Sequence, residues 1–393
     1  MNSRERMLAA LNRQPSDHIP CSPHIWQGPL QGPLYWRNQF DRAGRMLEMG
    51  MDPVIDIWLP DVAPDTCVGV RTWRDVSGSE PLLTKEYHTP AGVLRQTVRE
   101  TDDWCDSLHA HWIPTTFGPE LRTHFNMEIF DDHNVSRRTE PWVKSRADLE
   151  ALRYLIRKPE GWQLDEWRMD AQRAKEFADK HGLLLMARRT IVGDAFQWFC
   201  DINDFLCWMI EDPGFVRDFL AIFEEWSIDL TALALDAGVD VVQHRGWYDI
   251  PNYWGVKYWQ EFTVPFIKRQ ADMVHESGKL YSYLLPEGHG IYAPLLKDLK
   301  IDAHQGVDPR MLHKGDLRSL YEQLGKCTTF WGGVNSEVTL KSDDAAQIDR
   351  AVREAIEALG GNDGLILSAI LAPTGKPNGV MHMIEAWKKY RDR

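Results

Sequence analysis

From residue 146 onward the chain alternates helical and strand patterns joined by short links, and this rhythm limits the folds open to it. Helices are expected over 146–155 and 164–181, then a strand over 183–188. Helices over 202–211 and 213–236 follow, parted at Asp212-Pro213, and a strand over 239–244 starts after Gly238. The pattern continues with helix 256–277, strand 280–285, helix 291–299, strand 301–304, helix 315–324, strand 327–331, helix 343–359 and strand 364–368. A helix over 379–390 closes the chain. The strand segments are short apolar runs, as strands covered on both faces require. Such alternation implies parallel strands with right-handed crossovers.

The N-terminal third adds a helix over 3–12, a short strand over 19–22, a helix over 42–49 and a buried strand over 53–58. The count then reaches eight strands, which favours a closed (β/α)8 TIM barrel over an open sheet. No glycine-rich phosphate fingerprint follows an early strand, which argues against dinucleotide binding. Residues 66–102 break the rhythm. Their apolar–polar alternation, interrupted by Gly and Pro, reads as an antiparallel meander. We therefore expect one domain over 1–393 with an insertion at about 66–140. Within it, 105–140 is irregular and rich in His and Asp, while 26–36 (WQGPLQGPLYW) reads as a loop.

The net charge of −13 argues against nucleic acid or an anionic membrane as partner. Six cysteines without a CxxC pair argue against a disulfide scaffold or a structural zinc knuckle. The opening reads as a charged amphipathic helix rather than a signal peptide, and no run of 18 apolar residues occurs. A soluble cytoplasmic enzyme is expected, and a homodimer is permitted. Seventeen tryptophans are unusual. They imply either an aromatic-lined substrate cavity, drawing on Trp26, Trp36, Trp58, Trp73, Trp104, Trp112, Trp247 and Trp254, or an aromatic core and interface.

In a parallel barrel the loops after strand ends carry the chemistry. Strand 280–285 breaks at Pro286 and runs into Glu287-Gly288-His289-Gly290, which offers a carboxylate and an imidazole. With His244 as a third donor they could hold zinc, and His304 is a further candidate. Without metal, His289 could act as acid or base tuned by Glu287. The plain alternative is a glycine turn with a solvated His289. The loop after strand 239–244 holds His244, Arg245, Trp247, Tyr248 and Asp249, either as catalytic and binding groups or as a packed rim with Arg245 paired to Asp249. Arg188 and Arg189 end another strand and could grip a carboxylate or phosphate, although at most one faces the interior. Asp56 and Asp308 are candidates for catalysis and substrate binding respectively, and Trp58 for substrate contact. Cys200 and Cys207, seven apart, are expected to share a helix face as packing residues.

Several segments resemble the uroporphyrinogen decarboxylase superfamily: RERMLAALNRQPSDHIP, AGVDVV, YWQEFTVPFIKRQADMVHESGK, APLLKDLKIDAHQGVDP, FWGGVNSEVTL and AIEALGGNDGLILSA. The resemblance covers most of the chain, least so 66–140. It implies a (β/α)8 barrel and one of two chemistries: cofactor-free decarboxylation, or zinc-dependent methyl transfer with corrinoid proteins. This chain departs from both patterns. The RQAGR motif of the decarboxylases is replaced by HIWQGPLQGPLYWRN, and DRAGR at 41–45 only echoes it within a helix. The methyltransferases' His-x-Cys-Gly aligns with Glu287–Gly290, and their third ligand, a cysteine, has no counterpart near 368–371. The resemblance therefore implies a methyltransferase-like enzyme acting on a small, possibly methoxylated aromatic. Its zinc would be held by Glu287, His289 and His244, and its corrinoid carried on a separate protein. The alternatives are a metal-free decarboxylase of a carboxylated substrate and a non-enzymatic binding barrel.

Overall fold

The computed structural model describes residues 1–25, 36–60, 64–101, 114–115, 118–119, 127, 129–361, 364–371 and 377–392. Trp26, Trp104, Trp112 and most of 105–126 lie outside the described residues. The strands of the main body are β2 (Val54–Trp58), β7 (Leu184–Thr190), β8 (Val241–Arg245), β9 (Leu280–Leu284), β10 (Ala303–Val307), β11 (Thr329–Gly333) and β12 (Leu365–Ser368). They form one seven-stranded sheet in the order β12-β11-β10-β9-β8-β7-β2, every pair parallel. Neighbours in sequence are neighbours in space, as crossover helices dictate.

The sheet curls until one segment meets both of its edges. Cys21 bridges to Leu367 of β12, and β1 (His24–Ile25) pairs with β13 (Ile370–Leu371). On the other side, the Asp52 N–H donates to Cys21 O at 2.8 Å, just ahead of β2. The expected strand over 19–22 is thus a bridge at Cys21 with its regular pairing shifted to 24–25.

Alternating side chains divide the sheet into two faces. Val54, Leu184, Met186, Val241, Ala303, Trp331 and Ile366 form the inner face, packed on Met7, Ala10 and Leu11 of α1 (Ser3–Leu11). A capping box between Asn2 and Glu5 starts α1 and so fixes which of its sides meets the sheet. Burying each of Met7 and Leu11 contributes about 1.5–3 kcal/mol. The outer face, with Ile55, Ile57, Val242, Tyr281 and Leu365, packs under helices including α6 (Pro213–Asp236), α7 (Val264–Glu276) and α10 (Ala345–Ala358). Asp212 caps α6 and Pro213 occupies its first turn, which sets its start.

The meander exists as a separate antiparallel sheet: β3 (Gly69–Asp75), β4 (Leu82–Thr89), β5 (Gly92–Arg99) and β6 (Arg138–Glu140). Its fourth strand was not expected. Arg138 and Gln96 of this sheet donate to the carbonyls of Gln197 and Trp198, tying it to the main body. Cys200 lies at the end of α5 (Ala195–Phe199), whereas Cys207 is exposed on the helix Ile202–Glu211, so they do not share one helix face. No helix among the described residues is long and apolar enough to cross a membrane.

Candidate functional site

Above the apolar layer of the inner face the same alternation carries Asp56, Arg188, Gln243 and Gln305 inward. Arg188 Nε donates to Asp56 Oδ1 at 2.5 Å across β2 and β7, both side chains being buried. Arg42, on α2 (Gln39–Glu48), reaches the same carboxylate, its Nη2 lying 3.0 Å from Asp56 Oδ2 and from Val54 O. Gln39 also closes on the Asp56 backbone, donating to its carbonyl and accepting from its N–H. The DRAGR segment is helical as expected, yet its Arg42 belongs to the interior. Gln243 donates to Gln305 across the sheet.

These groups border a narrow cleft walled by Ser22, His24, Arg42, Arg188, Gln305 and Trp331. Burial holds the His24 imidazole well below its ordinary pKa, and Arg188 adds to the effect. The Asp56 carboxyl is lowered: Arg188 and Arg42 outweigh its burial. Among the described residues, Arg188 Nη1 is buried without a hydrogen-bond partner. Of the expected site residues, Asp56 and Arg188 are therefore brought together, and Arg42 and His24 are the members that sequence reasoning missed. Trp58 stands half-buried at the end of β2. The Arg189 side chain lies outside what is described.

At the end of β8, Arg245 is held by Asp194 and by Asp132 at 3.2 Å, not by Asp249 as the packed-rim alternative expected. Trp198, Trp247 and Tyr248 surround its guanidinium, with ring centroids 4.8, 5.8 and 5.4 Å away. Asp194 also accepts from the N–H groups of Trp247 and Tyr248. Burial raises the Asp194 carboxyl, against the pull of Arg245 and with the help of Asp249. Burial likewise raises Tyr248, whose hydroxyl donates to Asp132.

The three residues expected to bind zinc are not gathered into one set. His244 turns to the outer face, stacked on Tyr283, with Nε2 at 3.7 Å from Asp249. His289 is fully buried against His304, edge to face at 5.6 Å, rather than solvated, and neither of its nitrogens has a partner among the described residues. Burial lowers His289 to about 3 and also lowers His304. Glu287 pairs with His313 at 3.4 Å and accepts from Asn252. Among the described residues no group of three His, Cys, Asp or Glu side chains could hold a metal ion. Asp308 accepts from Asn335 at 2.7 Å, and burial raises it.

Residues 199–390 match the family model described as uroporphyrinogen decarboxylase. The C-terminal part of the chain, residues 199–390, thus carries the sequence pattern of the uroporphyrinogen decarboxylase family. A methyltransferase structure from Methanosarcina mazei overlays with a TM-score of 0.59 at 16% identity, covering 99% of both chains, which shows the shared fold. A B12-independent methionine synthase from a Shewanella species gives a looser overlay, TM-score 0.44 at 12% identity over 95% of this chain and 98% of its own. No curated protein sequence matches the chain. The family match over residues 199–390 points to an enzyme of methyltransferase or decarboxylase type.

Proposed function

We propose that the sheet is a closed (β/α)8 barrel, with residues 19–25 as its eighth strand, and that its interior binds the carboxylate of a small substrate on Arg188 and Arg42. The observation that carries this reading is an excess of buried positive charge. Two guanidiniums share the one carboxylate of Asp56, the His24 imidazole is held neutral, and Arg188 Nη1 has a donor to spare. An unmet donor on a buried cation is costly, and a ligand carboxylate meets guanidinium geometry directly. Trp331 and Trp58 suit a flat apolar remainder.

Of the two superfamily chemistries, decarboxylation uses such a grip most directly. The bond from the substrate to its carboxylate carbon breaks and carbon dioxide leaves. The electron pair left on the substrate then takes up a proton from solvent water, which leaves hydroxide to neutralise in bulk. Asp56 fixes the orientation of both arginines throughout. Glu287, His289 and His244 do not fit a zinc centre, so no step is drawn through a metal. Methyl transfer to or from a separate corrinoid protein is the second reading. It draws support from the Methanosarcina mazei structure described as a methyltransferase.

The test is carbon dioxide release from a panel of aromatic and short-chain carboxylic acids, with and without a chelator. Release that survives chelation and is lost in Arg188→Met supports the proposal. Methyl transfer from methoxylated aromatics to an added corrinoid protein, with no carbon dioxide, would replace it with the second reading.

A further inference from the structure

Asp132 belongs to α3 (Asp132–Val135), in the insertion, yet its carboxylate sits on three donors of the main body. The Trp198 indole N–H donates at 2.9 Å, the Tyr248 hydroxyl at 2.8 Å and Arg245 Nη2 at 3.2 Å. We propose that these donors form an anion subsite, and that Asp132 occupies it as an internal stand-in for the carboxylate of an aromatic substrate.

The donors are held in place without Asp132. Arg245 is anchored by the buried Asp194, which also takes the N–H groups of Trp247 and Tyr248 and so fixes the loop after β8. Trp198 is buried, and its carbonyl accepts from Gln96 and Arg138 of the antiparallel sheet. Removing the acceptor therefore leaves a preorganised fork of donors, the condition under which a ligand binds with little ordering cost. The acceptor is also the accessible member: the Asp132 side chain is 53% exposed, that of Arg245 14%. Replacing one carboxylate by another leaves the charge of the cluster unchanged, so the exchange demands no new buried charge.

The indole and phenol rings that wall Arg245 select a flat partner, since guanidinium and carboxylate then share one slot between π faces. The place fits as well. Arg245 and Arg188 lie on adjacent strands and, by alternation, on the inner face, with Arg245 nearer the strand ends. The subsite would then take up an incoming acid ahead of the interior cavity. This inference rests on the reading of the substrate as a carboxylate.

The experiment is calorimetric titration of benzoate into the full-length protein, its Asp132→Ala variant and the Asp132→Ala/Trp198→Phe double variant. If Asp132 is a competitor, Asp132→Ala binds benzoate about tenfold tighter, the size of one charge-assisted contact freed for the ligand. The double variant loses that gain. An unchanged or weaker affinity in a folded Asp132→Ala protein overturns the proposal. Should that variant fail to fold, hydrogen exchange on the wild type decides: saturating benzoate must speed exchange over residues 129–136, and unchanged exchange overturns the proposal. Arg188→Met separates the two readings. If it leaves wild-type benzoate affinity untouched while the Asp132→Ala gain persists, the interior reading fails and the subsite stands. If it abolishes wild-type binding and Asp132→Ala brings no gain, the subsite alone fails.

Discussion

Arg188 Nε lies 2.5 Å from Asp56 Oδ1, joining β7 to β2 through a buried ion pair that Arg42 completes from a helix. Truncating the shared acid strands two cations in a place that water reaches poorly. Asp56→Ala is expected to cost about 3–5 kcal/mol of stability. The double variant Asp56→Leu/Arg188→Met should recover part of that loss, because it removes the orphaned charge along with the acid. Urea unfolding of the three proteins checks this. A double variant no more stable than Asp56→Ala would show that the pair itself, rather than the orphaned charge, holds the strands.

His289 gives the fold an acid sensitivity. Its folded pKa is lowered to about 3 by burial, below the ordinary 6.5. The unfolded chain therefore takes up this proton first as pH falls. The stability that His289 contributes is complete above about pH 6.5 and is lost progressively towards pH 3. One such proton changes stability by roughly 1.4 kcal/mol per pH unit. His289→Phe should flatten the pH dependence of unfolding by about that slope between pH 6 and 4, leaving the share of the similarly lowered His18, His24 and His304. Equal slopes in the two proteins would mean that His289 is already hydrated.

How far the chain could be read depended on whether a feature was local. The boundaries of the helices at 202–211 and 213–236 follow from Asp212-Pro213, a cap and a first-turn proline within one dipeptide. The strand Arg138–Glu140 escaped because three residues carry no period, and its partner in β5 is some forty residues away. Site residues divided by face. Strand-end position alone singled out His244 and His304 along with Asp56 and Arg188. The side-chain alternation that sends the histidines outward shows only once α1 marks the inner face. Arg42 was hidden for another reason: nothing in a helix sequence tells that one guanidinium bends back to a neighbouring strand.

Removal of metal is expected to leave the fold unaffected. Glu287, His289 and His244 each have separate surroundings, and a bound ion would stabilise only if donors converged. Dialysis against EDTA should therefore shift the melting temperature by less than about 1 °C, because nothing that binds only the native state is taken away. A larger drop, reversed by adding zinc, would place ligands among residues not considered above.

The segment Glu287–Gly290 stood out as a pair of reactive groups, yet its glycines are the residues that the backbone cannot spare. Gly288 has φ +89°, and a Cβ there would lie 2.4 Å from Pro251 Cδ. At Gly290 a Cβ would meet the Lys314 carbonyl oxygen at 1.8 Å, where the N–H of Gly290 already bonds Leu312 O. Backbone must shift to admit either methyl group, so Gly288→Ala and Gly290→Ala should each cost about 2–4 kcal/mol. Glu287→Ala removes a part-exposed pair with His313 and a long hydrogen bond from Asn252, and should cost less than about 1 kcal/mol. Thermal unfolding of the three variants orders them. If Glu287→Ala were the most damaging, the carboxylate rather than the turn would be what this motif is built around.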